Sequence, residues 1–151
     1  MIGKSILLIL VRTKVYYHIT IKMKTKKDII LNIPQDCDNA PKRRTIRDFV
    51  TAFYKKDWQT LNEKLEDIFT FKIIGNRTIK TTDDLIKYLE SDVIVVELTI
   101  SDVLSHGKYG ACNGVVKSKK EEINFAYFFE FQSAGKNTIK SISEYIITNE
   151  K

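Results

Sequence analysis

Cysteine is scarce in this sequence: 151 residues hold two, Cys37 and Cys112, with no CxxC spacing. That excludes a disulfide framework and a cysteine zinc site, and it suits a reducing, cytoplasmic setting. Histidine is as scarce, at His18 and His106. Neither has ligand spacing, so no metal site and no cofactor are expected, and no histidine stands near Cys112 to activate its thiol. Gly-rich phosphate loops, GxSxG elbows and HExxH motifs are absent. No apolar run nears the ~20 residues a membrane helix needs, so no membrane partner is expected. The run Ile6–Val11, flanked by Lys4, Arg12 and Lys14, mimics a secretory signal but is short and lacks a small-x-small cleavage site. Met23 offers an alternative start; on that reading residues 1–22 are an over-extended reading frame, and if they are translated their Val, Ile, Tyr and Thr content favours a strand or a sticky tail.

What is present is an ordinary globular composition, 43% hydrophobic and 29% charged, which excludes a disordered chain or a coiled-coil rod. The formal charge of +6 is unevenly placed. Residues 1–47 hold 11 Lys/Arg against 3 Asp/Glu, whereas residues 48–151 hold 14 against 16. A nucleic-acid reader carries its basic residues on the folded module. Here they sit in the N-terminal stretch, so no nucleic-acid partner is expected.

Both prolines lie in 32–41 (NIPQDCDNAP), which reads as a linker closing an extension over 1–41, with the domain over 42–151. Pro41 suits the first turn of a helix. Ile46, Phe49, Val50 and Phe53 follow at i, i+3, i+4, i+7. Trp58, Leu61 and Leu65 mark a short second helix. Residues 67–74 alternate as a strand, Gly75-Asn76 turns, and 78–80 returns. Thr81 or Thr82 caps a third helix with the apolar stripe Leu85, Ile86 and Leu89. Residues 93–105, 108–118, 122–132 and 138–149 read as four long antiparallel strands joined by turn residues. The expected class is α+β, with about three N-terminal helices covering one face of a curved antiparallel sheet.

The stretches "FYKKDWQTL", "EDIFTFKIIGN", "TTDDLIKYL" and "NTIKSISEYII", in that order, resemble the nuclear transport factor 2-like superfamily, in its SnoaL-like branch, over residues 42–149. The resemblance implies a cone-shaped barrel enclosing a pocket, and a homodimer formed through the outer sheet face. The positions matching the catalytic set of the ketosteroid isomerase branch are Phe49, Lys72 and Tyr127. Those matching the limonene epoxide hydrolase branch are Asn113, Val115 and Glu144. Neither set is complete, so no catalytic residue is assigned.

Period-two reading puts Tyr109, Ala111, Asn113 and Val115 on the pocket side, with Ile123, Phe125, Tyr127 and Phe129. Ile142, Glu144 and Ile146 follow on the last strand, and the family comparison adds Thr70 and Lys72. The expected pocket is apolar with four polar, ligand-binding groups: Lys72, Asn113, Tyr127 and Glu144. The expected function is binding of a small apolar molecule. Two alternatives stand beside it: an isomerase, cyclase or hydrolase using Glu144 as acid/base, and a homodimeric interaction module whose working face includes Val95, Thr99 and Phe128. His106 reads as a turn residue, Cys112 as a small hydrophobe and Trp58 as a core anchor.

Overall fold

The computed structural model describes residues 28–90 and 93–149. The expectations for residues 1–22, including His18, and for the start at Met23 fall outside the described residues.

Helix α1 (Pro41–Lys55) opens on Pro41 at its first turn. Its buried stripe is Ile46, Phe49, Val50 and Phe53. Lys42 Nζ donates to Lys136 O at 2.6 Å and Asn137 Oδ1 at 3.0 Å, and lies 4.8 Å above the Phe131 ring. A cation at the positive end of a helix is unfavourable by itself; these contacts offset it and tie the helix to the sheet. The helix ends with Lys56 in the left-handed region at φ 58, a position glycine normally takes. Helix α2 (Trp58–Lys64) is capped by Asp57, whose carboxylate accepts from Thr60 N–H and Oγ1. Those bonds hold the Asp57 carboxyl below its ordinary value. Helix α3 (Thr82–Leu89) is capped by Thr81, with Asp83 and Asp84 in the first turn.

The strands are β1 (Ile30–Asn32), β2 (Leu65–Ile73), β3 (Thr78–Ile79), β4 (Val95–His106), β5 (Tyr109–Ser118), β6 (Glu122–Ser133) and β7 (Lys136–Thr148). They form one sheet in the order β1-β4-β5-β6-β7-β2-β3. The run β4 to β7 is the expected antiparallel meander. Two joints differ from the expectation: β2 pairs with β7 in parallel, and β1 adds a parallel edge to β4. The result is an α+β fold of three helices on a curved sheet that stays unclosed, with β1 and β3 at its edges.

The helices fill the concave face. Phe49 meets Phe129 edge-on at 5.8 Å, and Phe53 stacks on Phe71 at 5.6 Å. Pairs like these add to the area burial that dominates the core.

Two strands face the other way from the reading above. On β5 the buried residues are Gly110, Cys112, Gly114 and Val116. A Cβ at Gly110 would strike Ile46 Cδ1, and one at Gly114 the Thr99 carbonyl oxygen. The inner face is thus built of small residues where helix and strand approach closely, and hydrophobicity alone selects the opposite face. On β2 the buried pair is Phe69 and Phe71, so Thr70 and Lys72 point outward. On β4 the extra residue Ser101 lies between the pairs Ile100↔Gly114 and Asp102↔Asn113, shifting the buried set from Leu98 and Ile100 to Val103.

Candidate functional site

Four side chains from four elements meet at one end of the concave face. Tyr127 and Glu144 are direct partners across β6 and β7, close enough for their side chains to touch. Tyr127 Oη donates to Glu144 Oε2 at 2.9 Å. Tyr88, in the last turn of α3, donates to Glu144 Oε1 at 2.5 Å. Tyr54, in the last turn of α1, lies 2.7 Å from the Tyr127 hydroxyl. A hydroxyl has one hydrogen. Since Tyr127 gives its own to Glu144, Tyr54 donates to Tyr127, and the chain Tyr54→Tyr127→Glu144←Tyr88 converges on the carboxylate.

Glu144 is 1% exposed and Tyr127 fully buried. Burial pushes the Glu144 carboxyl above its ordinary value, opposed by the bonds from Tyr88 and Tyr127. Burial likewise raises Tyr127, reinforced by the neighbouring Tyr54 and Glu144. Tyr54 and Tyr88 are also raised, again chiefly by burial. No Lys, Arg or His among the described residues pairs with Glu144 within 4 Å.

Glu144, Tyr88, Tyr54 and Lys56 line a cavity of about 170 Å³, whose other walls are apolar groups including Phe53, Leu89, Val116 and Ile123. It shares Tyr54, Lys56, Val93 and Val95 with an adjoining cleft of about 660 Å³ that reaches Ile29, Lys55 and Lys119. The side chains of the aromatic core fill the rest of the concave face but leave this end open.

Of the four polar residues expected in the pocket, the fold brings two together, Tyr127 and Glu144. Lys72 and Asn113 lie exposed on the opposite face, which corrects their placement. Asn113 Oδ1 accepts from the Asp102 N–H at 3.1 Å. That bond satisfies a backbone group beside the β4 bulge and gives Asn113 a structural role. Lys72 stands beside Ser143 and Thr78 in the sheet register. Val95, expected on the outer face, lines the cavity. Ile123 and Ile146 do line it, and Phe125 packs against Tyr54 at 5.4 Å.

Two members of the network escaped sequence reasoning, Tyr54 and Tyr88. Both carried a signal. Tyr54 follows Val50 at i+4, and Tyr88 follows Leu85 at i+3, so each lies on its helix's apolar stripe. Elsewhere, His106 is an exposed residue before the Gly107 turn. The Cys112 thiol is pushed up to about 12 by burial, which removes it as a nucleophile at neutral pH. Among the described residues, no three His, Cys, Asp or Glu side chains cluster to hold a metal, and no helix is long and apolar enough to cross a membrane.

No protein-family model matches the sequence, and no curated protein matches it. Solved structures do. One is a protein assigned provisionally as a ketosteroid isomerase from Kribbella flavida, with TM-score 0.63 and 13% identity over 74% of this chain and 81% of that one. A second is an LEH-like epoxide hydrolase of M. tuberculosis, with TM-score 0.56 and 17% identity over 71% and 83%. A third is a SnoaL-like polyketide cyclase, also a provisional assignment, from Shewanella denitrificans, with TM-score 0.60 and 13% identity over 72% and 91%. The chain has the nuclear transport factor 2-like fold.

Proposed function

We propose that the cavity binds a small, mostly apolar molecule through one polar group that meets Glu144 and its tyrosines. The observation that carries this is a buried carboxyl in the wall of a mostly apolar void. A buried acid is costly, and a core without a ligand would gain from an apolar residue there. About 170 Å³ suits a single ring, since an engineered void of roughly 150 Å³ holds benzene; the adjoining cleft leaves room for a longer body. The test is thermal denaturation of the full chain with benzyl alcohol and cyclohexanol. A concentration-dependent rise in Tm that disappears when Val116→Phe fills the cavity supports the reading. No shift with either probe, or one that survives Val116→Phe, overturns it.

A second reading makes Glu144 a general acid or base in an isomerase, cyclase or hydrolase reaction. It is favoured by the raised Glu144 carboxyl, which brings a proton donor nearer neutral pH, and by the activities named for the isomerase, hydrolase and cyclase of the same fold. Glu144→Gln should abolish turnover on an identified substrate and leave the fold intact; surviving turnover ends this reading.

We also propose a homodimer through the outer sheet face. There Phe128 and Tyr145 pack edge-on at 5.6 Å while remaining largely exposed, near exposed Leu104 and Ile147. Exposed apolar patches of this kind mark interaction surfaces. Phe128→Lys should convert a dimer to a monomer by sedimentation; a wild-type monomer at high concentration removes the idea. A cytoplasmic location is supported by two free, buried thiols.

A further inference from the structure

Resting on that reading of the cavity, we infer that the polar group of the ligand is a protonated amine, held by the Glu144 carboxylate within an aromatic wall. The surroundings of the carboxyl carry the inference. Tyr88 and Tyr127 each place a hydroxyl against one of its oxygens, and Tyr54 extends the chain through Tyr127, donors of the kind an ionised carboxylate accepts. Each carboxylate oxygen accepts one tyrosine bond and has a second lone pair open. A charge buried without a counter-charge is costly; the described residues offer Glu144 none within 4 Å, and an ammonium in the cavity supplies the counter-charge and donors for the open lone pairs.

The walls fit the same group. Phe53, Tyr54 and Tyr88 line the cavity with Glu144, and aromatic rings attract cations through their quadrupoles. The remaining lining, Leu89, Val116, Ile123 and Ile146, takes an apolar body. Lys56 at the cavity and Lys55 and Lys119 in the adjoining cleft, which also holds Asp28, leave that side with a net charge of the same sign as an amine. The ammonium therefore sits at the Glu144 end and the uncharged body faces the lysines. A ligand with a carboxylate at the deep end would meet Glu144 as a like charge and is excluded from that orientation.

Benzylamine and benzyl alcohol have nearly the same shape and differ in charge at neutral pH, so calorimetric titration of the full 151-residue chain with each decides the matter. Benzylamine is expected to bind about tenfold tighter, with that preference lost in Glu144→Gln. Equal affinities in the wild type overturn the amine inference and leave the cavity reading standing. Binding of neither overturns both. A preference that survives Glu144→Gln places the amine elsewhere and overturns the inference. Should that variant not fold, intermolecular NOEs between benzylamine and the Tyr88 ring in the wild type replace it, and their absence overturns the inference.

Discussion

Helix α1 and strand β6 each run from a dry end to a polar one. At the dry end, Phe49 and Phe129 interlock edge-on. At the other, the same elements carry Tyr54 and Tyr127, and β7 contributes Glu144 opposite. The rings pack at similar separations at both ends, with centroid distances of 5.8 Å for Phe49–Phe129 and 5.4 Å for Tyr54–Phe125. The difference is three hydroxyls and one carboxyl. Aromatic packing closes one end, whereas at the other the polar groups must bond to each other and leave space beside them.

The comparison is broken most severely at the dry end. Phe129→Ala removes a fully packed ring and should cost about 3–5 kcal/mol, read as a fall in the denaturant midpoint. Tyr127→Phe keeps the ring at the polar end but leaves the Tyr54 hydroxyl without its acceptor and Glu144 with one donor fewer. It should cost about 1–3 kcal/mol. An equal loss at both sites would mean that the hydroxyls matter no less than the packing.

A subtler test uses pH. The Glu144 carboxyl is raised in the folded protein. An acid raised on folding contributes stability that is fully present below its unfolded pKa and is lost as pH rises through the folded pKa. Wild type should therefore lose stability relative to Glu144→Gln as pH rises from the ordinary carboxylate range towards neutrality. Urea midpoints of both proteins across that range report it as a diverging difference. Parallel curves would show that Glu144 has its ordinary affinity for a proton. Exposed groups such as Asp57, held low by Thr60, act in the opposite direction and cancel in the difference.

The smallest effect concerns the turn that carries Tyr54. Lys56 occupies the left-handed region without being glycine. Lys56→Gly should raise stability by about 0.5–1 kcal/mol in thermal denaturation. A destabilisation would show that the lysine side chain contributes more than its backbone strain costs.

Much of the fold was legible in the residues. Pro41 and the Ile46–Phe53 spacing place α1, Thr81 places α3, and alternation with turn residues places β4 to β7. The partnership of Tyr127 with Glu144 follows from pairing β6 with β7 and from reading both strands on the correct face. Tyr54 and Tyr88 were within reach, because helical spacing sets them on apolar stripes.

Lys72 and Asn113 show where that reading ends. Period two states which residues share a face, but it does not say which face is inside. On β5 the inside is lined by glycines because α1 and β4 approach too closely for a Cβ, which is a fact about neighbours far away in sequence. On β4 a bulge at Ser101 reverses the alternation and draws Asn113 into capping an outer backbone group. The sequence by itself determined the α+β class, the order of elements and the aromatic nature of the core, since these depend on local spacing and composition. Only the tertiary structure decided that three tyrosines converge on one buried acid beside a cavity, because that convergence depends on strand register, helix docking and close approach between distant segments.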